Sequence, residues 1–245
     1  MKFPKLISVF KTPIIEFFCD ERYYGVAPPP EPAAKNIPDW FKSIKPYSDT
    51  NRDANLRKSM NAKKCLPMLD AMTLGFTISL PIEQHIRSNH DCSEILVGPT
   101  STTFDRAVER HSLEQVGGRS SPLGPADPIK FINPWVVKTA PGWSTLFVPP
   151  LNGFDDRFIC LSALVDTDRY PKQVNFPGKW LKPNFNDFLP AGTPLVTAIP
   201  IKRSTVINDA PVRQMTLAEA KEIDRIRRTQ DSRLHYYTGE LRVKR

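Results

Sequence analysis

Phe131 to Pro150 reads Phe-Ile-Asn-Pro-Trp-Val-Val-Lys-Thr-Ala-Pro-Gly-Trp-Ser-Thr-Leu-Phe-Val-Pro-Pro, and this stretch decides the fold. Phe131 to Thr139 is rich in β-branched and aromatic residues, which suit a pleated, half-buried strand. Ala140-Pro141-Gly142 then sets Pro and Gly in the order of a type II turn, whose third position needs a positive φ. Trp143 to Val148 returns as a second strand, and Pro149-Pro150 closes it because proline cannot donate to a ladder. The unit is therefore an antiparallel pair.

Working outward, Gly75 to Leu80 alternates apolar with small or polar residues until Pro81 stops it. Glu94 to Val97, Phe158 to Val165, Gln173 to Phe176 and Leu195 to Ile199 are further strands separated by turn residues. Together they predict one compact antiparallel β domain over 65–203 rather than a parallel sheet with crossover helices. The polar, Gly/Ser/Pro-rich stretch near 100–127 reads as a long excursion loop with a short helix around Phe104 to Arg110.

The flanks differ in character. Residues 1–64 read as an extended proline-rich arm, in which Ala27-Pro28-Pro29-Pro30-Glu31-Pro32 suits polyproline II. Pro38 suits the first turn of a short helix that presents Trp40 and Phe41 as an aromatic anchor. That pair packs on its own domain or serves as a protein-interaction site. The first is favoured, because exposed aromatic pairs are uncommon on monomers. Residues 204–245 read as a basic C-terminal helix and tail. Thr216-Leu217-Ala218-Glu219 is a capping box, and Leu217, Ala220, Ile223 and Ile226 form a narrow stripe on a helix from Leu217 to about Thr229. Arg225, Arg227 and Arg228 enrich its later turns and are candidate contacts to a partner.

Composition narrows the class. Among 245 residues there are 25 prolines, about twice the usual ~5%, which favours short strands and turns over long helices. Cys19, Cys65, Cys92 and Cys160 form no CxxC pair, so free thiols in a reducing compartment are expected. Pro4, Lys5, Lys11 and Pro13 interrupt the apolar start of the chain, which argues against a signal peptide. No stretch approaches the roughly 18 apolar residues of a membrane helix, so a soluble protein without membrane partners is expected. The net charge is +8, and Lys202 to Arg245 carries eleven Lys or Arg against six Asp or Glu, or +5 of it. Nucleic acid is one partner for such a tail but is not favoured, because no nucleic-acid motif accompanies the charge.

Two resemblances follow from longer motifs. The series PPPEPAAKNIPDWFK, CLPMLDAMTLGFTISLP, FINPWVVKTAPGWSTLFVPPLN, VDTDRYPKQVNFP and GTPLVTAIPIKR resembles a family of uncharacterised proteins of tailed phages, of the cyanophage and marine type, and of some bacteria. It covers most of Glu16 to Arg203 and implies a place in a virion or host cytoplasm, with other phage structural subunits or a host protein as partners. The order Gly75-Phe76-Thr77-Ile78, Thr139-Ala140-Pro141-Gly142-Trp143, Val165-Asp166-Thr167-Asp168 and Gly192-Thr193-Pro194-Leu195-Val196 is similar to the motif series of the trimeric dUTPase and dCTP deaminase superfamily. That likeness implies a β-clip fold, a small distorted barrel, and a homotrimer.

The same likeness exposes missing chemistry. Where the superfamily's first motif carries a metal-holding aspartate, this chain has Thr77. Its phosphate-binding Arg-Ser pair is absent from Val148-Pro149-Pro150-Leu151-Asn152. The fourth motif's Asp-Arg and Gln are replaced by Thr193, Pro194 and Thr197, and the closing glycine-rich phosphate motif is absent. Asp166 alone matches a water-activating aspartate, although Arg169 adds a residue before Tyr170.

Hydrolysis of a nucleoside triphosphate needs cations or a metal on the developing phosphate charge. Asp166 is thus a weak catalytic candidate beside its more ordinary role as a turn former. Asp168 and Arg169 are expected to make a local hydrogen-bonded corner. Arg157, Arg169 and Lys172 are the residues that could supply phosphate charge. His85, His90 and Cys92, with Cys65 or His111, match no common zinc spacing. Ser120-Ser121 fits neither a nucleophile elbow nor a phosphate loop. No cofactor or metal is assigned. The expectation is a non-enzymatic phage protein, a virion-associated structural or interaction component on an eroded β-clip domain. The alternatives are a nucleotide-binding or hydrolysing dUTPase-like enzyme and a host-directed effector.

Overall fold

A computed structural model describes residues 14–52, 58–98, 106–124, 128–206, 209–233 and 236–243. The chain divides into two compact units, 1–205 and 206–245. In chain order the first half carries strands β1 (Ile15–Phe18), β2 (Glu31–Pro32), β3 (Tyr47–Arg52), β4 (Lys58–Met60), β5 (Phe76–Ser79), β6 (Gln84–Ser88), β7 (Ile95–Val97) and β8 (Val108–Arg110). The second half carries β9 (Ile129–Phe131), β10 (Val136–Thr139), β11 (Trp143–Val148), β12 (Phe158–Cys160), β13 (Ala163–Val165), β14 (Phe176–Trp180), β15 (Asn186–Leu189) and β16 (Pro194–Lys202). Among the described residues the α-helices are α1 (Asp39–Ser43), α2 (Leu66–Met72) and α3 (Leu217–Ser232).

The fold is mainly β, as expected, and each strand pair described is antiparallel. The largest sheet runs β13-β11-β16-β5-β2, a second runs β12-β14-β9-β8, and a third runs β15-β6-β7. Two ribbons, β1-β10 and β3-β4, complete the set. Among the described residues no sheet closes on itself, so the distortion takes the form of several small open sheets rather than a continuous barrel.

The turn read from sequence forms as predicted. Gly142 has φ of +84°, and Trp143 N–H donates to the Ala140 carbonyl at 3.1 Å, which is the closing bond of a type II turn. Gly75 is required for a second reason. Besides its φ of +76°, a Cβ there would collide with the Ala198 carbonyl oxygen on the neighbouring strand.

Several strand boundaries are corrected. The run 131–139 breaks at Ile132 to Trp135, because Pro134 offers no donor and Asn133 captures the Trp135 backbone in both directions, accepting from its N–H at 3.0 Å and donating to its carbonyl at 2.8 Å. The run 158–165 divides into β12 and β13, which lie in different sheets. The strand placed at 173–176 is β14, which begins at Phe176 and continues through Pro177 and Gly178. The helix expected around Phe104 to Arg110 is instead strand β8 where described; Phe104 lies outside the described residues.

Residues of the N-terminal region pack into the first unit. β1 pairs with β10, β2 pairs with β5, and Trp135 Nε1 donates to the Pro28 carbonyl at 3.2 Å. Phe41 is buried, and Trp40 Nε1 donates to the Asn152 carbonyl at 2.8 Å. The core of this unit is aromatic: Phe131 packs on Phe158 with the rings tilted at 51° and centroids 4.6 Å apart, and Phe147 of the large sheet meets Phe176 of the second at 5.5 Å. The described cysteines Cys19, Cys65, Cys92 and Cys160 are all free thiols. Burial pushes the Cys160 thiol well above its ordinary value. No helix among the described residues is long and apolar enough to cross a membrane.

The second unit holds α3, three residues longer than the sequence indicates. Its capping box is complete: Glu219 N–H donates to Thr216 Oγ1 at 3.3 Å, and Thr216 N–H donates to Glu219 Oε2 at 2.8 Å. The Arg213 guanidinium and, after it, the Thr216 donors hold the Glu219 carboxyl down at about 2. A lowered value means that the cap is whole above the ordinary glutamate range and is lost as pH falls toward 2. Thr216→Ala is expected to cost about 1 kcal/mol of helix stability. Far-UV circular dichroism should show the wild-type helix weakening as pH falls toward 2 and converging there on Glu219→Gln, whose own helix signal should not vary over that range.

Candidate functional site

Two features compete for the role of site, an apolar cleft and a polar corner. The cleft encloses about 350 Å³ in the first unit. α1 brings Trp40 to it, α2 brings Met72, and the loop after β11 brings Pro150, Leu151 and Phe154. Trp40 is held by its bond to Asn152, and its ring lies 5.9 Å from that of Phe154, which is 82% exposed.

Of the positions read against the dUTPase motif series, Thr77, Pro150, Leu151, Pro194 and Thr197 line this cleft, and Thr193 and Asp166 do not. Thr77 and Thr197 are cross-strand partners on β5 and β16, and both line the cleft with Pro150 and Pro194. The chemistry at this convergence is apolar. Among the described residues no Lys or Arg lines the cleft. Its two carboxylates are engaged elsewhere: Asp39 pairs with Lys42 at 3.0 Å, and Asp155 takes Arg157 Nε and Nη2 at 3.0 and 2.7 Å. A phosphate chain placed here would meet no Lys or Arg among the described residues to offset its charge.

Asp166 does not line this cleft. It belongs to the corner where the 140–143 turn, the end of β13 and the end of β16 meet. Ser144 Oγ donates to Asp166 Oδ1 at 2.6 Å, and Arg203 Nη1 reaches the same oxygen at 3.4 Å. The Asp166 carbonyl accepts from the N–H groups of Arg169 and Tyr170, both at 2.9 Å, so the residue does form the turn. Beneath it, Thr167 Oγ1 lies 2.8 Å from Thr139 Oγ1 and 2.7 Å from Thr145 Oγ1, a buried hydroxyl triad.

Asp168 and Arg169 take part in the corner expected of them, Arg169 through its N–H, while the Asp168 carboxylate takes its cation from Arg203. Arg203 Nη1 and Nη2 grip the two Asp168 oxygens at 2.7 and 2.5 Å, and Gly142 N–H adds a third bond at 2.9 Å. A planar guanidinium fork matches a carboxylate in this bidentate way, whereas adjacent residues on a tight turn cannot align so. Arg203, and then the Gly142 N–H, hold the Asp168 carboxyl well below the usual carboxylate range. The corner joins three strands and has the form of a structural clasp.

The remaining candidates are dispersed. Arg157 is committed to Asp155. Arg169 is exposed beyond the corner. Lys172 lines a second cavity, with Arg106 and Tyr23, which sequence reasoning passed over. On α3, Arg225 pairs with Glu222 at 2.7 Å and Arg227 with Asp224 at 3.3 Å, each one turn back, while Arg228 has no ion pair among the described residues. His85 packs edge-on against Phe188 at 5.2 Å, and no group of three or more His, Cys, Asp or Glu gathers among the described residues as a metal site would require.

No family model, curated protein or solved structure matches the chain.

Proposed function

We propose that this chain is a non-enzymatic interaction protein of a tailed phage, a virion-associated structural component on a β-clip-like domain that has lost its catalytic residues. The observation that supports this most is the cleft at the convergence of Thr77, Pro150, Pro194 and Thr197, which is apolar and lacks a described cation, while Asp166 is bound into the corner. An apolar cleft rimmed by an anchored Trp40 and an exposed Phe154 is suited to holding a partner's side chains. On this reading Trp40 contacts the partner, Phe41 is its internal support, and Arg225, Arg227 and Arg228 add a basic face on α3. The partners are other phage structural subunits, including further copies of the chain in a trimer, or a host protein.

Purified protein with Mg²⁺ should show no turnover of dUTP or dCTP. Asp166→Asn should change stability by no more than about 1 kcal/mol, since the carboxylate is more than half exposed and exposed pairs contribute little. Deoxynucleotide hydrolysis that disappears in Asp166→Asn would overturn this reading. Peptides of the chain should copurify with particles of the encoding phage in mass spectrometry. Their confinement to host lysate would favour a host-directed effector instead.

A further inference from the structure

The second cavity of the first unit encloses about 360 Å³, at the lower end of the range for small-ligand sites. It is built from connections rather than strands: Pro81 and Ile82 follow β5, Arg106 precedes β8, Ile132 to Pro134 join β9 to β10, and Tyr170 to Asn175 join β13 to β14.

Its polar lining is one-sided. Arg106 and Lys172 bring two positive charges, neither has an ion-pair partner among the described residues, and no Asp or Glu lines the cavity. Gln173 has no hydrogen-bond partner among the described residues, and the Asn175 amide nitrogen likewise keeps its donors, since only its Oδ1 is used, by Asn133 N–H at 3.1 Å. Tyr23 and Tyr170 add two aromatic rings. The Tyr170 to Asn175 segment is anchored at both ends. Tyr170 N–H is bound to the Asp166 carbonyl, and the Val174 carbonyl accepts from Asn133 Nδ2 at 3.2 Å. Asn133 itself is 2% exposed with its side-chain oxygen and nitrogen both engaged, so it is a fixed wall rather than a contact.

We infer that this cavity binds a small aromatic anion of the nucleoside monophosphate class. Arg106 and Lys172 take the phosphate, as an unpaired guanidinium and ammonium would. Tyr170, 43% exposed, offers its ring to the base, while Tyr23, covered by Arg22 at 5.7 Å from its centroid, serves as a wall; Gln173 and Asn175 donate to the base's acceptor atoms. The inference is independent of the interaction role assigned to the apolar cleft and involves no bond breaking, so loss of one leaves the other standing.

The test is isothermal titration of the full chain, in phosphate-free buffer at low salt, with AMP, UMP, adenosine and inorganic phosphate as separate probes. At least one nucleotide should bind with a dissociation constant below about 1 mM, more tightly than adenosine or phosphate alone. Arg106→Ala and Lys172→Ala should each weaken it by about 10- to 100-fold, the loss expected for a charged hydrogen bond. Both side chains are exposed and have no ion pair among the described residues, so an unchanged melting temperature will show that the variants are folded. Absence of nucleotide binding, binding unaffected by the double variant, or adenosine or phosphate binding as tightly as the tighter of the two nucleotides would each overturn the assignment.

Discussion

Phe131→Ala is expected to lower the unfolding free energy of the first unit by about 3–5 kcal/mol, a large part of the roughly 5–15 kcal/mol available to a domain. Phe131 is fully buried on β9, opposite Phe176 on β14 and Val108 on β8, and its ring packs on Phe158. Phe176 in turn meets Phe147 of the large sheet. The cavity left by truncation would therefore open at the seam between two sheets whose backbones are already fixed by their ladders, and such a site collapses poorly. Urea unfolding followed by tryptophan fluorescence should show a lower midpoint with an unchanged slope. Phe154→Ala, at a ring that is 82% exposed, should cost no more than about 1 kcal/mol. Equal losses in the two variants would mean that the aromatic seam is not the core.

That seam also shows which parts of the fold were legible in the sequence. β11 could be read from sequence because a type II turn stands at one end and two prolines at the other, and both signals are local. The capping box of α3 was legible for the same reason. The division of 158–165 between two sheets was not, because both halves alternate acceptably. What separates them is long-range: Leu161 N–H donates to the Pro177 carbonyl at 2.8 Å, across sixteen residues of chain. β14 was displaced because Pro177 and Gly178 signal a turn. Gly178 is nevertheless needed inside the strand, where a Cβ would lie 2.6 Å from the Ile159 carbonyl oxygen.

The sites follow the same division. Asp166 and Asp168 stood out in the sequence, but their partners Ser144 and Arg203 lie 22 to 37 residues away and belong to no recognisable spacing. Arg203 sits at the end of a strand as any solubilising cation might. Lys172 was legible as a cation that could supply phosphate charge, whereas the cavity that joins it to Arg106 and Tyr23 exists only once five separate connections are folded together.

Among polar substitutions, Arg203→Met should produce the largest fall in melting temperature near neutral pH, because it leaves a carboxylate that is only 7% exposed with Gly142 N–H as its remaining partner. Methionine keeps most of the stem's bulk, so the loss reports the charge and its hydrogen bonds rather than packing. The pH dependence follows from the direction of the Asp168 shift. Arg203 depresses that carboxyl below its ordinary value of 3.8 in the folded protein, so the pair stabilises fully above that value and the contribution is lost progressively as pH falls from it toward the depressed folded value.

The gap between wild type and Arg203→Met should therefore be widest at neutral pH and narrow steadily below about pH 4. Adding Asp168→Asn to Arg203→Met should recover part of the loss, since a neutral amide does not leave a desolvated charge unpaired. A gap that stays constant down to pH 2, or a double variant less stable than Arg203→Met alone, would show that the Asp168 carboxylate is not what Arg203 serves. The clasp joining the 140–143 turn to the ends of β13 and β16 would then have to be assigned to the Thr139, Thr145 and Thr167 hydroxyls beneath it.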